Sequence, residues 1–157
     1  MLMRALNYDA NLLQRAGTEV TLAVLYRSGD PLDQKTSEDV ERSFRALASI
    51  KILGLPLRVL RVAFTNADAL ARTTKAEAID TYYVCSSLER NLVDIKAMSR
   101  KNAVLTMGSR MEQLVSGLSL GVFYLDGKST IVVNVQASRD EGVAFGSDLL
   151  RLARVIK

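Results

Sequence analysis

The polar residues best placed for chemistry come directly after apolar runs that predict buried strands. Four segments have this position: Arg27–Asp30, Thr65-Asn66, Cys85–Ser87 and Gly108–Arg110. Ligands of open parallel sheets bind outside the carboxyl ends of the strands. Three of the segments also precede predicted helices, whose free backbone N–H groups and dipole favour anions. The pattern therefore predicts a carboxylate or phosphate site, for which the candidate residues are Asn66, Ser86, Ser109 and Arg110.

These residues also have a purely structural explanation. Ser and Asn are favoured N-cap residues because their side-chain oxygens accept a hydrogen bond from a free N–H group of the first turn. Ser86-x-x-Glu89 and Ser109-x-x-Glu112 fit the capping-box pattern as well. Both interpretations stay open, and N-capping is the more common role of such residues.

The chain lacks the side chains on which most hydrolytic and metal-dependent chemistry depends. It contains no histidine, which removes the commonest general base and the commonest metal ligand. Its one cysteine, Cys85, ends an apolar run. Neither a glycine-rich dinucleotide fingerprint nor a phosphate-binding Gly-x-x-x-x-Gly-Lys loop occurs in the sequence. We therefore expect no enzymatic activity, no metal and no cofactor.

Three residues near the end of the chain are candidates of another kind. Asn134 interrupts the apolar run Ile131–Val135, where an unpaired buried amide would cost about 1–3 kcal/mol. We therefore expect Asn134 to pin the following turn through backbone hydrogen bonds. The segment Ser147–Ile156 has the apolar spacing of a closing helix, on which Arg151 and Arg154 would share one face. They would be solvated charges there, or a basic patch for a partner or an anion.

The elements that must position these residues alternate between strand and helix. Apolar strands are predicted at Val20–Tyr26, Leu57–Phe64, Ile79–Cys85 and Ala103–Met107. Parallel strands need helical crossovers, which cover the sheet on both faces. Asp126-Gly127, between two further apolar runs, predicts a tight antiparallel hairpin. We expect a three-layer α/β/α fold with a mostly parallel sheet of about six strands, closed by a C-terminal antiparallel hairpin strand at an edge.

Length and charge restrict the remaining possibilities. A chain of 157 residues with 48% hydrophobic and 24% charged residues predicts one α/β domain over residues 1–157. The net charge of +4 comes from basic residues spread along the chain, so we expect no nucleic-acid partner. No apolar stretch approaches the ~20 residues of a membrane span, so we expect no direct membrane insertion. Met1–Arg4 lacks the apolar region of a secretory signal, which fits a cytoplasmic protein or one whose signal has been removed.

The last third of the chain resembles the YfiR/HmsC-like family. The resemblance is carried by Val132–Val135, by Ala137-Ser followed by Gly142, and by Ser147-x-Leu-Leu-Arg-Leu-Ala153. Val104–Met107 is also similar to the strand that precedes the Gly-led hairpin of that family. The family's aromatic opening is replaced by Asn7–Leu12, and the cysteines that form disulfides in some members are absent.

The resemblance implies an exported, periplasmic α/β protein without catalytic activity. Better-known members bind the periplasmic region of a membrane diguanylate cyclase and hold it inactive. It therefore implies a regulatory module that docks onto a membrane sensor, such as a cyclase or a kinase, and modulates signalling in a cyclic-di-GMP pathway. A homodimer stays open. The alternative is a small-solute binding protein that holds an anion or an amino-acid-like ligand at the strand-end rim.

Overall fold

Seven strands form one sheet in the structure, a computed structural model that describes residues 1–157. In chain order they are β1 (Val20–Arg27), β2 (Leu57–Phe64), β3 (Thr81–Val84), β4 (Leu105–Gly108), β5 (Leu120–Leu125), β6 (Lys128–Asn134) and β7 (Arg154–Ile156). Their order across the sheet is β2-β1-β3-β4-β5-β6-β7. All neighbours are parallel except β5 and β6. The predicted mostly parallel α/β fold with a C-terminal hairpin is confirmed.

Helices cover both faces of this sheet. They are α1 (Leu2–Ala5), α2 (Leu12–Arg15), α3 (Pro31–Arg45), α4 (Ala67–Ala76), α5 (Leu92–Asn102), α6 (Met111–Val115), α7 (Val135–Asp140) and α8 (Ser147–Leu152), with 3₁₀ turns at Leu6–Tyr8 and Ser86–Asn91. No helix is both long and apolar enough to span a membrane.

The central strand explains why the sheet has a core on each face. Residues 20–25 of β1 are all buried, and alternate side chains of a strand point to opposite faces. Leu22 and Val24 belong to one apolar cluster, which also contains Phe44 of α3. Ala23 and Leu25 belong to the other, beneath α4 and α5. A continuous apolar run is therefore what a strand covered on both faces requires.

The C-terminal segment differs from the prediction. The predicted closing helix ends at Leu152, and Arg154–Ile156 form β7 beside β6. The expected common helical face for Arg151 and Arg154 is therefore wrong. The hairpin strand β6 is not an edge, because the short β7 pairs with it from Val132 to Asn134.

The β5–β6 hairpin extends beyond the rest of the sheet. Strand β5 pairs with β4 only at Leu120, opposite Met107. It continues four residues past the end of β4, roughly 13 Å at the usual rise of a strand. The turn has positive φ at both Asp126 (50°) and Gly127 (79°), as a two-residue type I′ turn requires. The predicted tight turn is confirmed.

Candidate functional site

At the carboxyl-end rim, the structure gives most of the predicted residues local partners. Asn66 caps α4, its side-chain oxygen accepting a hydrogen bond from the Ala69 N–H at 2.9 Å. Ser109 Oγ donates to the Val84 carbonyl at 3.0 Å. Arg110 lies between two carboxylates and is half exposed. Asn66 follows β2, whereas Ser109 and Arg110 both follow β4. Because β1 and β3 lie between these two strands, the three residues are not gathered around one cavity.

Both predicted capping boxes are wrong, for a local reason. Ser86 is exposed and opens a 3₁₀ turn without a side-chain cap. Helix α6 begins after Arg110 rather than after Ser109. The buried amide of Gln113 takes the capping role, because its Oε1 accepts hydrogen bonds from the Ser109 and Arg110 N–H groups at 2.7 and 3.1 Å.

A cavity of about 620 Å³ lies at the opposite, amino-terminal end of β1 and β3. Asp80 lines it and is buried, accepting a hydrogen bond from the Thr21 N–H at 2.8 Å. Burial raises the pKa of the Asp80 carboxyl, since the charged form loses its hydration. Arg15, Glu19 and Lys75 add charges of both signs to the lining. The sequence pattern predicts a polar site at the carboxyl ends of the strands, and no sequence motif indicates the cavity at their amino ends.

The C-terminal edge of the sheet carries exposed apolar side chains among basic ones. Tyr124 is 76% exposed, Leu152 72% and Val155 42%. Tyr124 is four residues from Leu120 and therefore lies on the same face of β5. Leu120 lies opposite Val133 of β6, which in turn lies opposite Val155 of β7. Tyr124 and Val155 are therefore on the same face of the sheet. We call the exposed residues Tyr124, Arg151, Leu152, Arg154 and Val155 together the C-terminal surface. Arg154 pairs with Val132 and therefore projects from the opposite face of the edge strand to Val155.

The two arginines of this surface differ in their partners. Arg151 forms an ion pair with Asp148 one turn earlier in α8. Arg154 is exposed on β7 and forms no ion pair within 4 Å. It lies beside Val132 in the pairing of β6 with β7. The basic charge is therefore held by the edge strand as well as by the helix.

Asn134 lies where β6 gives way to α7. Its Oδ1 accepts a hydrogen bond from the Ala137 N–H at 3.0 Å, which caps α7. Its Nδ2 donates to the Leu114 carbonyl at 3.0 Å, which ties α6 to the same point. The amide oxygen and the amide nitrogen of Asn134 are therefore both hydrogen-bonded to backbone groups.

Glu141 is the site residue that the sequence did not single out. It is 1% exposed and follows α7 directly. Four hydrogen bonds reach its carboxyl group, from Ser99 Oγ, Thr106 N and Oγ1, and Ser119 Oγ. Burial raises its pKa to about 7, although these hydrogen bonds lower it. An acid after a helical turn resembles a surface charge in the sequence, so only the tertiary structure identifies it.

No three His, Cys, Asp or Glu side chains in residues 1–157 lie together in a way that could hold a metal ion. The lone thiol, Cys85, is buried at the end of β3. Burial raises its pKa to about 12, so the reactive thiolate is suppressed.

The fold is similar to parts of several solved structures. A match to the ABC domain in complex with L-Trp from Streptococcus pneumonia has a TM-score of 0.62 and 13% identity, and covers 97% of this chain and 60% of that one. The ligand-free, open structure of CD0873, a substrate binding protein with adhesive properties from Clostridium difficile, matches with a TM-score of 0.65 and 13% identity, over 94% and 57% of the two chains. A conserved domain protein from Vibrio cholerae matches with a TM-score of 0.60 and 16% identity, over 87% and 54%. The chain thus spans a little over half the length of these structures, and such low identity establishes the fold alone.

The sequence comparisons are more specific. No curated protein matches the chain. A family model with the description YfiR/HmsC-like matches residues 12–154. This range contains the six strands from β1 to β6 and most of the C-terminal segment in which the resemblance was found. The chain therefore belongs to the YfiR/HmsC-like family.

Proposed function

We propose that this protein is a non-catalytic periplasmic regulator that docks onto the periplasmic region of a membrane sensor, such as a diguanylate cyclase, and modulates its signalling. Family membership supports the class of function. The single observation that supports the place of docking is the C-terminal surface, where Leu152 and Val155 are exposed next to two arginines in the sequence and Tyr124 is exposed near the tip of the hairpin. Aromatic residues and arginines are enriched at protein interfaces.

The chemistry of this surface suggests how the docking would proceed. Arg151 and Arg154 would attract an acidic face of the sensor and orient it. The apolar side chains, with Tyr124 at the tip of the projecting hairpin, would then be buried in the complex. Charge would thus govern the rate of association, and apolar contact would govern the lifetime of the complex.

A binding measurement with the periplasmic region of a membrane diguanylate cyclase from the same organism tests the proposal. We expect the double substitution Arg151→Glu and Arg154→Glu to weaken binding by about tenfold or more, since it reverses two charges and changes the net charge of the surface by about four units. Leu152→Asp should weaken binding as well, by placing a charge against the apolar contact. Surface plasmon resonance of the purified periplasmic region provides the affinities.

Arg90→Glu is the matched control for this experiment. Arg90 is exposed, forms no ion pair and lies in the 3₁₀ turn before α5, far along the chain from the C-terminal surface. Its reversal should leave the affinity unchanged. Unchanged binding by the double variant would remove the C-terminal surface from the interface. Absence of binding by the wild-type protein would contradict docking onto that sensor.

A small-solute binding protein is the second candidate. Its support is the similarity to a substrate binding protein and to a domain in complex with L-Trp, together with the cavity that Asp80 lines. A cavity of a few hundred Å³ is of the size that small ligands occupy. The predicted rim site at Asn66, Ser86, Ser109 and Arg110 remains a prediction.

A thermal-shift screen against L-Trp, other amino acids and inorganic anions tests this second candidate. A ligand at 100 times its dissociation constant stabilises a protein by about 2.7 kcal/mol, which is easily measured. If a ligand is found, Asp80→Asn should abolish the shift for a site in the amino-end cavity, and Arg110→Ala should abolish it for a site at the rim. A screen without any shift contradicts the solute-binding function.

A further inference from the structure

The buried carboxyl of Glu141 is shared by three parts of the molecule. Ser99 belongs to α5, Thr106 to β4, and Ser119 lies just before β5. Their donor atoms approach the Glu141 oxygens at 3.2 Å, at 2.9 and 2.6 Å, and at 2.5 Å respectively. Glu141 itself begins the 141–146 segment, which connects α7 to α8. One side chain therefore fastens the C-terminal segment to the centre of the sheet.

No cation compensates the charge of this carboxylate. Glu141 takes part in none of the salt bridges, so no Lys or Arg nitrogen lies within 4 Å of its carboxylate oxygens. Lys96 of α5 donates to the Ser116 carbonyl, and Arg100 of α5 pairs with Asp140 of α7 at 3.5 Å. The phenol of Tyr82 on β3 is close enough to interact with the Glu141 charge. The Asp9–Arg15 ion pair contacts the 141–146 segment through the hydrogen bond from the Ala144 N–H to Asp9.

The four donors favour the charged form less than their number suggests. Three of them are hydroxyls, which can accept a hydrogen bond from a protonated carboxyl as readily as they donate to a carboxylate. Only the Thr106 N–H must donate. Protonation therefore keeps the cluster hydrogen-bonded and removes an uncompensated buried charge, whereas ionisation leaves that charge in a site that water does not reach.

We propose that Glu141 is a pH-sensitive latch: the protonated carboxyl holds the 141–146 segment against the sheet, and its ionisation loosens that segment together with α8 and β7. The latch is a property of the chain alone. Its effect on docking, through the C-terminal surface that α8 and β7 carry, rests on the proposed function.

The direction of the pH effect follows from the pKa of Glu141 in the folded and in the unfolded protein. Burial raises the pKa of Glu141 from 4.5 to about 7 in the folded protein, whereas the carboxyl of an unfolded chain ionises near its ordinary value. The stabilisation that the protonated Glu141 carboxyl gives to the closed segment is therefore complete below about pH 4.5 and is lost as the pH rises through 7. Between pH 5 and pH 8 these values correspond to a roughly 70-fold rise in the opening equilibrium constant.

Two measurements on the purified protein test the latch without any partner. Titration of the wild-type side-chain carboxyls by ¹³C NMR should show Glu141 ionising near pH 7. Hydrogen exchange, corrected for the intrinsic pH dependence, should show amide protection in residues 141–146 falling by at least about tenfold from pH 5.5 to pH 8. Residues 20–27 of β1 are the internal control and should lose much less.

Glu141→Gln is the matched variant, because glutamine keeps the shape and stays neutral. The pH dependence of exchange in residues 141–146 should disappear in this variant. Equal pH dependence in the variant and the wild type, or a Glu141 carboxyl that ionises at or below pH 4.5, would overturn the latch. The NMR titration uses only the wild type, so the test remains decisive even if the variant does not fold. Loss of docking with an intact latch would instead contradict the proposed function.

Discussion

Two asparagines of this chain perform the same task at different depths. Asn66 and Asn134 each accept the hydrogen bond that caps a helix. Asn66 is exposed, and its side chain makes only the capping hydrogen bond, whereas Asn134 is 6% exposed and also donates to the Leu114 carbonyl. Comparing the two residues therefore distinguishes the contribution of a helix cap to the free energy of unfolding from the contribution of a buried polar contact.

We expect Asn134→Ala to lower the free energy of unfolding by about 2–4 kcal/mol. A lost cap costs about 1 kcal/mol, and the Leu114 carbonyl left without its partner adds about 1–3 kcal/mol. The control, Asn66→Ala, should cost only about 1 kcal/mol. Urea denaturation of both variants measures the difference. Equal losses would mean that the Leu114 contact contributes nothing.

Sequence pattern predicted most of the elements, but it failed where a neighbouring strand decides the structure. The apolar runs of β1 and β2 and the Asp126-Gly127 turn were found because strand and turn signals are local. The predicted closing helix is too long, because Leu149, Leu152 and Ile156 fit helical spacing equally well. The unpaired edge of β6 is what draws Arg154–Ile156 into a strand.

The candidate site was predicted less well than the fold, because its important contacts are not local. Ser86 and Ser109 fit the sequence pattern of capping boxes, but the buried amide of Gln113 supplies the cap of α6. Glu141 finds its partners 22 to 42 residues away. Spacing alone cannot distinguish such a carboxyl from a surface charge.

The short helix α8 depends on one anchor. Leu149 is 1% exposed within the apolar cluster, whereas Leu152 in the same helix is 72% exposed. We expect Leu149→Ala to cost about 2–5 kcal/mol, the usual range for a buried leucine, and to increase hydrogen exchange in β7. The control, Leu152→Ala, should stay within about 0.5 kcal/mol of the wild type. Chemical denaturation and exchange measurements check both, and a harmless Leu149→Ala would show that α8 is held by other contacts.

At the scale of the whole molecule, the two ends of the chain are held together. Asp9 and Phe145 form an antiparallel bridge, and the Gly146 N–H donates to the Tyr8 carbonyl at 2.9 Å. The Asp9 carboxylate accepts from the Ala144 N–H at 3.1 Å and forms an ion pair with Arg15. The N-terminal segment thus packs on the same 141–146 segment that Glu141 holds from the other side.

We expect Asp9→Ala to destabilise the protein by about 3–5 kcal/mol, because Arg15 would keep a buried charge without its partner. The control is Asp39→Ala, which breaks the exposed pair with Arg42 and should cost no more than about 0.5–1 kcal/mol. Thermal denaturation of both variants is sufficient. Similar melting temperatures for the two variants would contradict a stabilising role for the buried pair.

The clamp between the chain ends also determines when folding can finish. Asp9 and Ala144 are 135 residues apart in the sequence, and contacts of such long range slow folding because a large loop must close first. During synthesis, Tyr8 and Asp9 cannot make their contacts with residues 144–146 until that part of the chain has been made. Tyr8 and Asp9 are therefore among the last residues to complete their native contacts, although they are synthesised before the strands of the sheet.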